Sequence, residues 1–367
     1  MKKTEGIPTV TDSGKAVSSG SEWRRLLSFQ NISAIYIFVV IFVIFSILVP
    51  ALTGTQSFLA PGTWANLLDT QSLTVLAAIA VLIPLTAGVF NLAVGAEISF
   101  AMMLCIVLQL PSAQYQKDLG LALGLPWPVA AIITVLAGGL IGLVSGLVVT
   151  RLKIDSFIAT LGMSSILIAL AYLISANRPF SVPAGFGSLS AANIPLGPFR
   201  LTLPVIVLIV IAVVGWYVLE RTPIGRRMYA AGFNPDGARL SGVNVSRLQL
   251  GSLVVGGLIA GVIGVLASSK FGGSPGYGNG MLLPALAAVF LGSTQFKGGR
   301  FNIWGTVLAL YVLAVGIQGF LLVRVPDWIT DFFYGVALIG AVAMSRWERT
   351  SKRLGAVKRA TTLGSKK

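Results

Sequence analysis

Few residues in this chain can do covalent or acid–base chemistry. It has no histidine and a single cysteine, Cys105. That excludes intrachain disulfides, zinc centres of the Cys/His type and histidine-based catalysis; no metal site is expected. No Gly-x-x-x-x-Gly-Lys-Ser/Thr phosphate loop occurs, and Gly298-Gly299-Arg300 reads as a short turn, not a nucleotide cradle. The chain also lacks the paired carboxylates or Ser–Lys dyad at depth that an intramembrane enzyme needs. Glu97 is the only ionisable residue well inside an apolar run. A carboxylate there is costly to bury, so its default reading is functional: it accepts hydrogen bonds from a polar solute or carries a proton. The plainer reading is a carboxylate near a helix end that faces water or a partner helix.

Backbone chemistry supplies the second set of candidates. Two stretches break an otherwise helical pattern: 84–95, with Gly88 and Asn91, and 272–292, with Pro275, Gly276, Gly278, Gly280 and Pro284. Gly and Pro at membrane depth free polar backbone groups that only a protein-lined or wet cavity satisfies. Paired interruptions in the two halves point to a transport pathway; the alternative is a tight turn at the membrane surface. The candidate solute-pathway residues are Asn91, Gly95, Glu97, Thr160, Tyr277, Asn279 and Pro284.

The elements that must position these residues follow from composition. Of 367 residues 55% are hydrophobic and 11% charged, against about a quarter charged in an ordinary soluble domain. Ten apolar runs cover most of the chain, at 34–50, 71–88, 91–110, 127–150, 156–176, 201–219, 248–268, 282–294, 303–323 and 328–345. The fold class is therefore an all-α polytopic membrane protein of about ten transmembrane helices. The pair within 71–110 reads either as two spans or as one span plus a re-entrant hairpin, and 282–294 is short for a full crossing. Residues 1–33 read as a disordered cytoplasmic tail, 34–346 as the transmembrane domain and 347–367 as a basic cytoplasmic tail. With both termini inside, 22 of the 27 Lys and Arg fall on the inner side. Lys117, Arg178, Arg200, Lys270 and Arg324 fall outside. Cytoplasmic loops collect Lys and Arg, so this split supports the orientation. The net charge of +15 is thereby largely topology, and no nucleic-acid partner is expected.

Gly138, Gly142 and Gly146 recur every four residues, as do Gly257 and Gly261, with Ala260 and Gly264 beside them. Such stripes let helix backbones approach closely, and packing is their expected role.

The one long inside loop, 220–247, carries Arg221, Arg226, Arg227, Arg239 and Arg247. Thr222 can cap a short helix with Pro223 in its first position and Gly232 after its end. Asn234 can cap a second, with Pro235 and Asp236 in the first turn and Gly242 terminating it. Retention on the inner side needs charge but no such shape, so the loop reads as a docking element for a cytoplasmic partner. Ile224, Met228 and Leu240 would supply its apolar contacts, and the arginines charge-assisted ones. A surface helix lying on anionic lipid is the other reading.

From about residue 71 to 345 the chain resembles the ribose-type permeases of bacterial ABC importers. The longest matching motif is Gly225-Arg226-Arg227-Met228-Tyr229-Ala230-Ala231-Gly232-Phe233-Asn234, followed by Ala238-Arg239-Leu240-Ser241-Gly242-Val243. Further matches are Asn91-Leu92-Ala93-Val94-Gly95, Phe157-Ile158-Ala159-Thr160-Leu161-Gly162, and Ala287-Ala288-Val289-Phe290-Leu291-Gly292-Ser293-Thr294 with Gly298-Gly299. The resemblance implies an inner-membrane permease subunit and no enzyme. It implies pairing with a second permease copy or a paralogue, and a separate ATPase with two nucleotide-binding domains that uses ATP and Mg. A periplasmic binding protein would deliver a sugar or sugar-like solute. It places ATPase docking on Arg226, Arg227, Tyr229, Ala231, Gly232, Asn234, Asp236, Ala238, Arg239, Ser241 and Gly242. Three positions depart from the family pattern: Ala93 where Ser is common, Pro284 where Asp is common, and Glu97 where a small or apolar residue is common. They argue against plain ribose as cargo, and Glu97 would suit a cationic or amino-bearing solute. An ion-coupled secondary transporter, or a family permease for a non-sugar cargo, is the alternative; Glu97 is the former's best feature and the docking-like loop stands against it.

Overall fold

The computed structural model describes residues 33–55, 57–111, 121–196, 199–293, 300–326 and 328–343. The two expected tails, apart from the start of the first helix, and Lys117, Lys297, Gly298 and Gly299 lie outside these. The helices are α1 (Ser33–Thr53), α2 (Pro61–Thr86), α3 (Val94–Val107), α4 (Trp127–Arg151), α5 (Ser156–Ser175), α6 (Gly187–Ala191), α7 (Leu203–Arg221), α8 (Pro223–Phe233), α9 (Pro235–Leu240), α10 (Val245–Phe271), α11 (Asn279–Ser293) and α12 (Ile303–Leu322). α13 (Trp328–Ala343) closes the described chain. Strands β1 (Asn193–Leu196) and β2 (Phe199–Thr202) form an antiparallel hairpin between α6 and α7, pairing Asn193 with Thr202. The fold is helical and polytopic as expected; the hairpin is an addition to it, and its short strands carry no long apolar run to announce them.

Among the described residues six helices are long and apolar enough to cross a membrane: α2, α4, α5, α7, α10 and α12. Shorter apolar helices lie in α1, α3, α11 and α13. Each of the ten apolar runs thus falls on a helix. α2 begins at Pro61, upstream of the run read at 71, because Pro at its first position starts the helix in a polar segment.

α2 is the centre of the bundle. Every residue from Ser72 to Thr86 is buried, as expected of a helix apolar all round. α10 packs along α4, α3 and α2. The two glycine stripes face one another across the α4–α10 contact. A methyl on Gly138 would stand 3.1 Å from Gly261 Cα, and one on Gly257 would stand 3.1 Å from Gly142 N. Backbones this close fix the pair by dispersion contacts, which are what hold helices together in a membrane. Outward faces stay apolar: Ile132, Leu136 and Leu140 of α4, Ile158 and Leu161 of α5, and Val210 and Val214 of α7 are exposed.

Where α2, β2 and α10 converge, Lys270 Nζ pairs with Asp69 Oδ2, and Thr202 Oγ1 donates to Asp69 Oδ1 at 2.5 Å. This clasp holds one end of the bundle; the loop of α8 and α9 lies at the other.

Candidate functional site

The first interruption begins where α2 ends. Ala87 and Val89 N–H both donate to Pro84 O, at 3.0 and 3.1 Å, and Gly88 takes φ +80° to turn the chain. The turn then runs without helix to Val94, and side chains of α5 satisfy it. Phe90 N donates to Ser156 Oγ and Leu92 N to Thr160 Oγ1, each at 3.1 Å. Ala93 N donates to Asn91 Oδ1 at 3.1 Å, and Asn91 Nδ2 donates to both Glu97 oxygens at 3.4 Å. Asn91, Glu97 and Thr160 are all buried. Buried backbone polar groups need partners, and this is where they find them.

Glu97 therefore braces the turn. It sits in the first turn of α3, where the positive end of the helix dipole favours a carboxylate. It lies near a helix end, but it is fully buried and bonded to Asn91 of the preceding turn, so it does not face water. Thr160 likewise supports backbone, while its own hydroxyl donates to Ser156 O at 2.7 Å.

The second interruption begins where α10 ends. Gly272 takes φ +78°, and Gly273 exchanges backbone hydrogen bonds of 2.8 and 2.9 Å with Phe180. Gly278 N then donates to Ser99 Oγ of α3 at 2.9 Å. α11 starts at Asn279, and the two stretches meet at this point: a methyl on Gly95 would stand 2.7 Å from Gly278 O and 3.4 Å from Asn279 Cα. α3 has 14 residues and α11 has 15. At 1.5 Å per residue these are about 21 and 22 Å long, short of the ~30 Å hydrocarbon core. Two short helices, each entered from a non-helical segment, thus abut at their starts.

Of the pathway candidates, Asn91, Gly95, Glu97 and Thr160 form one cluster, and Asn279 adjoins it through Gly278. Tyr277 is half-buried and packs against Phe271 with the rings tilted and centroids 5.4 Å apart. Asn279 is exposed, and Pro284 is buried inside α11, away from the cluster. Sequence reasoning missed Ser99, Ser156 and Phe180, which do the joining. Their signal was a hydroxyl on a helix or a chain segment far away, and neither is a local pattern.

The 220–247 loop folds into α8 and α9 as its caps predict. Thr222 Oγ1 accepts from Gly225 N at 3.4 Å, Asn234 Oδ1 accepts from Gly237 N at 3.0 Å, and Gly242 takes φ +80° after α9. Two details are corrected. Gly232 lies inside α8, which continues to Phe233; it serves close approach, because a methyl there would collide with Thr86 O and stand 3.2 Å from Gly88 N. Met228 is buried against the bundle and presents no face to the aqueous side of the loop, whereas Phe233, 61% exposed, stands with Ile224 and Leu240 as an exposed apolar residue. The docking candidates divide accordingly. Tyr229, Ala231 and Ala238 are buried and fasten the loop, whereas Arg226, Arg227, Gly232, Asn234, Asp236, Arg239, Ser241 and Gly242 are exposed. Arg239 pairs with Asp236 at 3.1 Å.

α8 is tied to the bundle at two places. Gly232 packs on Thr86 and Gly88, the start of the first interruption. Tyr229 OH donates to Phe301 O at 2.6 Å, and Arg300 lies over the Tyr229 ring at 4.2 Å, in the segment that joins α11 to α12. Burial pushes the Tyr229 phenol up to about 12, with Arg300 pulling the other way and Glu220 adding to the rise. A cavity of about 300 Å³ lies between these contacts, lined by Leu85, Phe90, Phe233 and Phe290 among others.

Residues 63–342 match a family described as branched-chain amino acid transport system / permease component. The chain belongs to this permease family. It is a multi-pass membrane permease of a bacterial ABC importer, a transport subunit and not an enzyme. The permease is 33% identical to a fructose import permease protein of Rhizobium meliloti over 233 residues, 62% of this chain and 64% of that one. It is 25% identical to a ribose import permease protein of Haemophilus influenzae over 260 residues, 70% and 79% of the two chains. It is 27% identical to a D-allose transport system permease protein of Escherichia coli over 322 residues, 87% and 93% of the two. No solved structure matches the permease. The match with the Rhizobium protein spans just under two thirds of that protein's length.

Proposed function

We propose that this permease carries a sugar or sugar-like solute across the bacterial inner membrane, with both termini cytoplasmic and ten spans in all. A periplasmic binding protein delivers the solute, and a second permease, identical or paralogous, completes the pathway. An ATPase with two nucleotide-binding domains docks on the exposed faces of α8 and α9 and uses ATP and Mg. Relatives named for fructose, ribose and D-allose support the sugar class.

The observation that carries this reading is the double attachment of α8. One helix touches both the turn leading to Asn91 and Glu97 and the segment below α11. A displacement of the docking loop therefore acts directly on the first interrupted stretch and reaches the second along α11, and those stretches meet at Gly95 and Gly278. A bundle with two packings, biased by the ATPase, alternates access in this way.

The test is reconstitution of the full-length permease with its ATPase and binding protein in proteoliposomes. Arg239→Glu reverses an exposed charge without touching the core, so the expected result is ATP hydrolysis that no longer drives uptake. Normal coupling in that variant, or uptake driven by an ion gradient without the ATPase, overturns the proposal.

A further inference from the structure

A groove of about 650 Å³ runs between α7 and α10, distinct from both interrupted stretches. Its walls include Val214 of α7 and Val255 of α10, and its floor includes Ile83 of α2 and Met228 of α8. Val214 is 57% and Val255 40% exposed, so the groove opens sideways, toward whatever surrounds the bundle. The lining is apolar but for Ser252, whose hydroxyl is spent on Gln249 O, and Arg247 at one end. Arg247 lies in the first turn of α10, exposed, and has no ion-pair partner among the described residues.

We infer that this groove holds an anionic phospholipid, its phosphate on Arg247 and one acyl chain laid along α10. Depth and charge both select this occupant. From Arg247 to Ile259, the far end of the lining on α10, the helix rises about 18 Å. That is close to half of a ~30 Å hydrocarbon core, the depth one leaflet offers a chain. Arg247, with no ion-pair partner among the described residues, offers an anionic headgroup its counter-charge at the mouth of an otherwise apolar groove. Basic pockets between helices at the cytoplasmic surface are where anionic headgroups bind. Gly251 keeps the floor open: no atom lies within 4 Å of where its methyl would be. Because Met228 belongs to the docking helix, a seated chain touches the element that the ATPase would move. The site itself needs only a membrane-spanning permease, so its test stands apart from that of the docking proposal.

The experiment is native mass spectrometry of the full-length permease with added phosphatidylglycerol or phosphatidylcholine. The wild type is expected to retain phosphatidylglycerol preferentially. Arg247→Gln should lose about five-fold in that retention, the weight of one cation near a membrane surface, and Arg247→Lys should restore most of it. Gly251→Leu puts a side chain into the groove from a position whose Cβ meets nothing within 4 Å, and it should abolish retention of both lipids. Retention equal to wild type in Arg247→Gln or Gly251→Leu overturns the inference. So does a disulfide-linked permease pair formed by Val214→Cys in membranes, since the groove would then be an interface between copies.

Discussion

Gly95 and Gly278 meet backbone to backbone, at a separation that leaves no room for a methyl group on either. The contact locks the start of α3 to the start of α11, and Gly278 N–H adds a hydrogen bond donated to the Ser99 hydroxyl. Gly95→Ala must push Gly278 O away from 2.7 Å. Overpacking of this kind costs about 1–3 kcal/mol. Thermal unfolding of the purified full chain should show a loss of that order, and uptake should fall further than stability alone explains. Gly280→Ala is the control, since its methyl meets nothing within 4 Å. Equal behaviour of the two variants would remove the contact from the argument.

The Glu97–Asn91 brace makes a different prediction. Glu97→Gln keeps one oxygen to accept from Asn91 Nδ2, so folding and uptake should largely survive. Glu97→Leu leaves that buried amide without its acceptor, at about 1–3 kcal/mol. Uptake measured across pH separates a brace from a proton carrier. The brace gives a Glu97→Gln profile parallel to wild type, and a carrier gives a profile with its pH dependence lost.

Much of this was legible along the chain, for reasons that lie in local physics. Apolar runs mark helices because a membrane demands them, and each of the ten runs lies on one. Thr222, Asn234 and Gly242 announce the two short helices of the 220–247 loop because caps are chosen within three or four residues. Gly88 and Gly272 announce the two interruptions because both take positive φ. What was hidden is what joins distant segments. Nothing near Thr160 says that it will accept from Leu92 N, and nothing near Asp69 names Lys270 and Thr202 as its partners. Gly232 was misread for the same reason: it has the residue type of a helix stop, but Thr86 on another helix decides its role. Glu97 was conspicuous as a charge, but nothing along the chain names Asn91 as its partner.

Tyr229→Phe tests the link between α8 and the segment below α11. It deletes one hydrogen bond to Phe301 O and leaves the ring beneath Arg300. The expected loss is about 0.5–1.5 kcal/mol, with weaker coupling of ATP hydrolysis to uptake. Burial pushes the phenol up to about 12 in the fold, against about 10 when unfolded, so the neutral, donating form is favoured by folding. The stability difference between wild type and Tyr229→Phe should hold constant below pH ~10 and shrink as pH rises toward about 12. A difference that grows over that range would mean the phenol is not the donor.

The clasp of Asp69, Lys270 and Thr202 joins the ends of α2, α10 and β2 that lie away from α8 and α9. Its two charges are 18% and 22% exposed, too buried to be a screened surface pair and too wet to be a fully desolvated one. Removing one partner leaves the other partly buried and unpaired, which costs more than the pair itself gains. Asp69→Asn and Lys270→Met should therefore each lower the unfolding temperature, with the Asp69 change the larger because Thr202 Oγ1 also loses a charged acceptor. The double variant should recover part of the summed loss, a coupling of about 1 kcal/mol in a double-mutant cycle. Added salt should weaken the coupling only slightly, because partly buried pairs are poorly screened. Strict additivity of the two substitutions would show that the clasp holds the bundle end by the packing of Lys270 over the Phe271 ring, 5.2 Å away, and not by charge.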